Sequence, residues 1–213
     1  MTIHINGQNI SEIYYCDNNN TLVSVSELYN GSNLVYSANP YQPGTVIFQS
    51  AGAATQTITL PAGVYRFACT GGGGSKSTWA AGGYLWAAGG GSGATWEGDI
   101  YLLNNTDVKL YAGAAKAASY IEINGTRIIT AANGKNGGTG GGGAGGKLTL
   151  NLENIEIINT IKSTNGNTGQ GVTPGSSRKG GASTSTYKWG GGTDLNSGNV
   201  QAGGFRLEYI GRH

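Results

Sequence analysis

The side chains that most often carry out acid–base and nucleophilic catalysis are scarce in this sequence. The two histidines, His4 and His213, lie near opposite ends of the chain, so neither predicts a general base or a partner for a nucleophile. Glu97 and Asp99 lie two residues apart and would share one face of a strand, where they could imitate a pair of glycosidase carboxylates. The spacing is more typical of a solvated strand edge. The sequence therefore predicts no catalytic residue and a protein that is not an enzyme.

Two glycine-rich stretches resemble nucleotide-binding loops without completing the motif. Residues 141–148 match a phosphate-binding loop as far as Lys147, but Leu148 replaces the serine or threonine that would hold Mg²⁺. In the earlier stretch, Ser75 replaces the glycine that the motif requires. Asp17 begins a segment like a calcium loop that lacks the glycine and the terminal glutamate. We therefore predict no cofactor and no metal.

The remaining candidates for chemistry are aromatic side chains set among glycines. Trp and Tyr offer rigid apolar faces together with a polar group, which suits contact with a sugar ring or a protein receptor. The candidate receptor-binding residues are Trp79, Tyr84, Trp86, Trp96, Tyr187 and Trp189, with Lys76 and Lys188 as nearby donors. The alternative is that the rings form the core, because the chain is poor in large aliphatic side chains. The sequence leaves both interpretations open for each ring.

The composition is dominated by 40 glycines in 213 residues. Collagen is excluded because there are only 4 prolines and the glycines have no three-residue period. Charged residues make up 11% of the chain and the formal net charge is +2, whereas disordered chains combine low hydrophobicity with high charge. These values predict a folded protein with a thin core.

Charge and hydropathy also limit the partners and the location. The 13 basic residues are scattered singly, so we predict no nucleic-acid partner. The most apolar stretches, residues 79–91 and 111–118, fall short of the roughly 20 residues that cross a bilayer, so no membrane is expected. The first ten residues lack the basic and apolar regions of a signal peptide. Cys16 and Cys69 are expected to be unpaired thiols.

Alternating apolar and polar residues predict an all-β fold. The first 38 residues read as two short hairpins that turn at Asn6-Gly7 and Asn30-Gly31. Only residues 112–119 have the propensity for a short helix, and Gly113 weakens it. Further strands are predicted from residue 46 onward and at residues 57–60, 64–69, 99–103, 107–111, 120–123, 126–130, 147–152, 155–161 and 205–210.

A proline- and glycine-containing break at residues 39–44 predicts a boundary between two modules. Residues 1–43 would be an N-terminal attachment module of β-hairpins, and residues 44–213 a glycine-rich domain. Most glycines of that domain fall in residues 71–98, 134–146 and 166–204. Such runs are either mobile linkers or backbone packed too closely for a Cβ. Aromatic residues beside them favour the second alternative, extended glycine helices that satisfy one another's amides and carbonyls.

The order of these motifs resembles the glycine-rich domains of phage and prophage tail-fibre proteins. Residues 57–67, with the turn Pro61-Ala62-Gly63, lead into the glycine run 71–74 as in the opening of that family. Residues 136–146 resemble its internal glycine runs, and residues 202–210 its closing glycine pair and last strand. Upstream, residues 25–36 resemble the short hairpins of phage tail proteins. The resemblance covers about residues 45–211.

The resemblance implies an antiparallel β-sandwich, of jelly-roll or tumour-necrosis-factor-like topology, with packed polyglycine-II helices. It implies a receptor-binding adhesin at the tip of a tail fibre, carried on the virion and made in the host cytoplasm. Its partners would be a bacterial surface glycan or outer-surface protein and other tail-fibre subunits. A homotrimer and a monomeric tip on a trimeric shaft are both compatible with it. The glycine runs here are shorter than in the phage adhesins.

Two other classes of function remain open at this stage. The first is a structural fibre component that spaces or caps the fibre without touching the host, which would require all six rings to be buried. The second is an ice-binding glycine-helix protein, which would need a flat threonine-rich face that the irregular spacing does not promise.

Overall fold

The structure, a computed structural model, describes residues 14–16, 22–24, 27–30, 33–37, 39–171, 180–192 and 200–211. Within these residues the fold is all β, without a helix. The strands are β1 Tyr14–Cys16, β2 Leu22–Ser24, β3 Glu27–Asn30, β4 Asn33–Ser37, β5 Val46–Ala51, β6 Ala54–Leu60, β7 Gly63–Thr70, β8 Ser77–Ala81, β9 Tyr84–Ala88, β10 Thr95–Leu102, β11 Thr106–Ala112, β12 Ser119–Ile123, β13 Thr126–Ala131, β14 Leu148–Leu150, β15 Glu156–Thr164 and β16 Gly204–Gly211.

Two five-stranded antiparallel sheets pack face to face as a sandwich. The first sheet has the strand order β15-β10-β7-β16-β5, and the second has the order β14-β13-β12-β11-β6. The remaining described strands form the separate hairpins β1–β2, β3–β4 and β8–β9. The predicted all-β class is therefore confirmed, and each strand predicted from residue 46 onward is present. Of the first predicted N-terminal hairpin only Tyr14 is described, and it pairs with Ser24 of β2; the Asn6-Gly7 turn lies outside the described residues.

Three local predictions need correction. Residues 113–118 form a loop rather than a helix. Asn30 pairs with Asn33 and so ends a strand, whereas it was expected in the turn. Strands β8 and β9 lie inside a glycine-dense stretch where no strand was predicted, because Ala and Gly obscure the two-residue alternation that marks a strand.

The core lies between the sheets and is built from alternate residues of the central strands. Tyr65, Phe67 and Cys69 on β7 are all fully buried in the core, on the face of the strand that points toward the second sheet. Burial raises the pKa of the Cys69 thiol to about 12. Cys69 is a free thiol, as predicted, while the side chain of Cys16 lies outside the described residues.

Seven glycine-rich segments form a glycine bundle at one end of the sandwich. Segment 89–94 lies at its centre. Its backbone is hydrogen-bonded directly to each of the other six segments. The six surrounding segments are residues 71–74, 132–137, 142–146, 166–170, 180–182 and 190–192. Most continue a strand directly, as 71–74 continues β7 and 132–137 continues β13. The glycine-dense stretches are thus ordered and packed, not linkers.

The hydrogen bonds of the central segment repeat every three residues. The amides of Gly91 and Ala94 donate to the carbonyls of Lys135 and Ala132, at 2.9 and 3.0 Å. The carbonyls of the same two residues accept from Gly74 and Gly71, in the segment on another side. Other bonds of segment 89–94 go to segments 142–146, 166–170, 180–182 and 190–192, whereas a strand in a β-ladder bonds two neighbours only.

Backbone contact explains why these positions are glycine. A Cβ on Gly91 would lie 2.1 Å from the carbonyl oxygen of Ala144, and one on Gly134 would lie 2.0 Å from that of Gly91. Carbonyl oxygens of a neighbouring backbone cannot rotate away as a flexible side chain would. The bundle therefore excludes any larger residue at these positions.

The chain joins the sandwich at the end opposite the bundle. The amide of Gly44 donates to the Tyr209 carbonyl at 2.8 Å, and the amide of Tyr209 donates to the Thr45 carbonyl at 2.9 Å. Tyr209 lies at the far end of β16, whose first residue, Gly204, adjoins the bundle. Asn39 also bonds the Tyr65 hydroxyl at 2.7 Å. The proposed module boundary at residues 43–44 stays a prediction.

Gly91→Ala should destabilise the protein strongly, because the new methyl group would overlap the Ala144 backbone. We expect a loss of about 1–3 kcal/mol or more in the free energy of unfolding, measured by urea denaturation. Gly140→Ala is the matched control, since a Cβ there meets nothing within 4 Å. Equal stability of the two variants would contradict the close packing of the bundle.

Cys69 should resist alkylation in the folded protein. At pH 8 a thiol with a pKa of about 12 is almost entirely protonated, and the thiolate is the reactive form. Iodoacetamide labelling followed by peptide mass spectrometry should modify Cys69 only after denaturation. Because the pKa is raised on folding, this thiol favours the folded state below about pH 9 and loses that effect as the pH rises toward 12.

Candidate functional site

The β8–β9 hairpin displays three of the predicted aromatic residues on one face. Trp79 pairs directly with Trp86 across the two strands, and Ala81 pairs with Tyr84 next to the turn. Since residues two apart in a strand share a face, Trp79, Trp86 and Tyr84 lie on the same side. Gly82 and Gly83 form the turn with φ of +59° and +78°, as a type I′ hairpin requires.

The rings of this face are accessible to different degrees. Tyr84 is 63% exposed, the largest exposure of any large hydrophobic side chain described, while Trp79 and Trp86 are half-buried. The Trp86 indole Nε1 donates to the Ala81 carbonyl at 3.0 Å. The indole therefore reaches along its own hairpin toward the turn, and its ring is held in place without a polar group from elsewhere.

The hairpin lies at the end of the glycine bundle that faces away from the sandwich. Its strands continue segments 71–74 and 89–94, and the other ends of those segments join β7 and β10. Gly137 donates to the Ser75 carbonyl at 2.9 Å, and Gly143 donates to the Gly89 carbonyl at 2.8 Å, so the turn at residues 138–141 lies at the same end. Lys76 lies at the base of the hairpin, next to the first residue of β8.

Trp96 does not belong to this surface, and the expectation that it contacts a receptor is wrong. It is completely buried in the core, because it faces inward on β10. Its ring packs over Gly98, where a Cβ would come within 2.8 Å of the ring. Its indole Nε1 is buried and has no hydrogen-bond partner among the residues that the structure describes. For Trp96 the core interpretation was the right one.

Tyr187, Lys188 and Trp189 lie on the outer face of the first sheet, apart from the hairpin. The Tyr187 hydroxyl donates to Glu97 at 3.1 Å and accepts from Arg206 at 3.0 Å, so it bridges β10 and β16. Trp189 is only 9% exposed and packs against Tyr187 at a tilt of 32°, with ring centroids 4.7 Å apart. The candidate residues therefore fall into two groups that do not converge on one site.

This second group secures the stretch of chain that supplies two segments of the glycine bundle, residues 180–182 and 190–192. Gly204 leaves room for the Trp189 ring, because a Cβ on residue 204 would lie 2.3 Å from that ring. Thr184 bonds Thr95 at 2.7 Å in a buried hydroxyl cluster. Burial raises the pKa of Tyr187, which keeps its hydroxyl protonated as a donor to Glu97. Lys188 is exposed and has a φ of +61°.

A third aromatic group was missed by the sequence analysis. Tyr111 and Tyr120 stack on the outer face of the second sheet, with centroids 4.8 Å apart and planes 20° apart. They lie nine residues apart in the chain, inside ordinary strand patterns, and only the pairing of β11 with β12 brings them together. No signal in the sequence separates them from core tyrosines.

Among the described residues, no group of three or more His, Cys, Asp or Glu side chains is placed to hold a metal ion. The same part of the chain contains no helix that is long and apolar enough to cross a membrane. No protein-family model matches the sequence, and no curated protein matches it either.

Replacing a buried tryptophan should cost much more stability than replacing a hairpin tryptophan. Trp96→Ala removes a fully buried ring and should cost about 3–5 kcal/mol. Trp79→Ala removes a half-buried ring from a two-stranded hairpin and should cost less than about 1 kcal/mol. Urea unfolding followed by circular dichroism measures both. A large loss from Trp79→Ala would place that ring in a structural role.

Proposed function

We propose that this protein is the receptor-recognising tip of a phage or prophage tail fibre. The β8–β9 hairpin, with Trp79, Tyr84 and Trp86, would bind a glycan or a protein on the bacterial surface. It would do so without catalysis, by contact between rigid aromatic faces and the receptor.

The observation that carries the proposal is that the two ends of the molecule differ. The chain joins the sandwich through residues 39–45 at one end, and the aromatic hairpin lies beyond the glycine bundle at the other. The central segment 89–94 alone adds about 15 Å to this axis if its rise is that of an extended threefold helix. A module anchored at one end and aromatic at the other suits a fibre tip.

We also propose that the segments of the glycine bundle are polyglycine-II helices and that the sandwich has a jelly-roll, tumour-necrosis-factor-like topology. The three-residue repeat of the hydrogen bonds around segment 89–94 supports the first assignment. The two facing sheets of five antiparallel strands support the second. Both assignments agree with the resemblance to tail-fibre glycine-rich domains.

In this proposal residues 1–43 attach the tip to other tail-fibre subunits within the virion. Several tips on one particle, as a homotrimer or as monomers on a trimeric shaft, would bind one cell together. Because linked sites act at high effective concentration, even weak binding by a single hairpin would hold the particle.

The alternative, a fibre component that never touches the host, is less well supported. It requires all six candidate rings to be buried, yet Tyr84 is 63% exposed. An exposed tyrosine on a hairpin that forms a sheet of its own contributes little to the packing of a spacer. The exposure of this hairpin therefore favours a binding role.

The test is binding of the fluorescently labelled protein to intact cells of a panel of bacterial strains. We expect saturable binding to a few strains and its loss in a Trp79→Ala/Trp86→Ala variant, because the receptor would contact these rings. Flow cytometry measures binding, and the melting temperature of the variant checks its fold. Periodate or protease treatment of the cells separates a glycan receptor from a protein receptor.

Leu103→Ala is the matched control for that experiment. Leu103 is 59% exposed and follows β10 at the end of the sandwich opposite the bundle, so its loss should leave binding unchanged. Absence of binding to every strain, or equal binding by the parent and the hairpin variant, would count against a receptor site on the hairpin.

A further inference from the structure

Two strands of the first sheet lie on the path of the chain from its entry into the sandwich to the aromatic hairpin. After the entry segment, residues 39–45, the chain runs through β5, crosses to β6 of the second sheet and returns through β7. Segment 71–74 then leads from β7 into β8. β16 lies between β5 and β7 and pairs with both. In the folded protein, a pull between the entry segment and the hairpin therefore passes from β5 to β7 through the hydrogen bonds of β16.

Both ladders of β16 are aligned with such a pull. β5 begins at Val46, at the entry end of the sandwich, and ends at Ala51, next to the bundle. β7 ends at Thr70, where the bundle begins. The pull would draw β5 and β7 in opposite directions along their own lengths. Because the bonds of an antiparallel ladder are perpendicular to its strands, all the bonds of a ladder would share this load.

The ladder between β5 and β16 extends past both ends of β5. Five residue pairs join β5 to β16, and seven join β16 to β7. At the entry end the amide of Gly44 donates to the Tyr209 carbonyl at 2.8 Å. At the bundle end the amide of Gly52 donates to the Gly203 carbonyl at 2.9 Å. The smaller ladder is thus lengthened by backbone bonds on either side.

The entry segment is also fastened to β7 directly. The Asn39 side-chain amide donates to the Tyr65 hydroxyl at 2.7 Å and to the Ala62 carbonyl at 3.3 Å. The Tyr65 hydroxyl donates in turn to the Pro61 carbonyl at 2.9 Å. The centroid of the Tyr65 ring lies 5.2 Å from that of Tyr209 on β16. Asn39 therefore adds a second route for load between the entry segment and β7.

The segment that continues β7 toward the hairpin is held in a similar way. The amides of Gly71 and Gly74 donate to the carbonyls of Ala94 and Gly91, at 3.0 and 2.8 Å. These bonds run from one segment of the bundle to its neighbour, across the direction of the pull. The load that β7 carries is thus shared with segment 89–94.

We propose that the sandwich is a load-bearing link, in which β16 joins the entry strand β5 to the hairpin-bearing strand β7 in shear. A pull along the long axis must break many bonds of a ladder together. A pull applied across the entry end would open the same ladders one bond at a time. The fold therefore resists tension between its two ends more than tension across one end.

The biological role of this resistance rests on the proposed function, since a fibre tip bound to a cell would be pulled between these two ends. The resistance itself is a property of the fold and needs no receptor. If replacing the hairpin rings left binding to cells unchanged, the receptor role would fail while the forces described below stayed the same.

The test is single-molecule force spectroscopy of the full chain in two attachment geometries. One handle is fixed at the N-terminus in both. The second is attached through a cysteine, either on the hairpin (Ala81→Cys) or at the opposite end of the sandwich (Leu103→Cys), with Cys16→Ser in both. Ala81 and Leu103 are exposed and Cys69 is buried, so each variant offers one accessible thiol.

The hairpin geometry should give a several-fold higher unfolding force for the sandwich than the Leu103 geometry. The two are compared at one pulling speed, because forced unfolding is governed by the unfolding rate. Ala80→Cys and Asn104→Cys, both exposed, repeat the two geometries at neighbouring positions and guard against an effect of one substitution on stability. Equal forces in the two geometries, or a lower force from the hairpin, would overturn the proposal.

Asn39→Ala tests the route through the entry segment. It should lower the unfolding force in the hairpin geometry, because its bonds to Tyr65 and Ala62 are lost. Asn159→Ala is the matched control, since Asn159 is exposed on β15, outside the path of the load, and the force should stay at the parent value. If both variants unfold at the same force, Asn39 carries no load and the second route is wrong.

Discussion

The backbone contact around segment 89–94 is the constraint on which the rest of this structure depends. Six neighbouring segments surround it so closely that carbonyl oxygens occupy the places where Cβ atoms would be. Glycine loses more conformational freedom on folding than any other residue. Mutual satisfaction of amides and carbonyls within the bundle offsets that loss, since each segment's backbone groups find their partners in neighbouring segments.

The bundle in turn positions the surfaces that could meet a partner. It extends the strands of the sandwich, so the hairpin with Trp79 and Tyr84 lies at the end of several packed segments rather than on a mobile loop. Trp189 and Tyr187 hold one of the outer segments against the first sheet. Side chains expected to bind a receptor thus divide into those that face solvent and those that stabilise the support beneath them.

Most of the sandwich could be predicted because its strands follow the two-residue period of a sheet with one buried face. Residues 107–111 and 205–210 alternate clearly, and the strands predicted there are present as β11 and β16. The hairpin strands β8 and β9 were missed because alanine and glycine carry too little contrast in hydropathy. The candidate site was foreseen in part, since Trp79, Tyr84 and Trp86 share a face but Trp96 turns inward.

The sequence by itself determined the all-β class, the breaks between strands and the abundance of residues that allow backbone to touch backbone. These are local properties, set by side-chain size, period and turn chemistry. Only the tertiary structure decided which rings are accessible, and that Tyr111 and Tyr120 stack on one face. Exposure and cross-strand contact depend on which distant strands pair, and no local pattern records that choice.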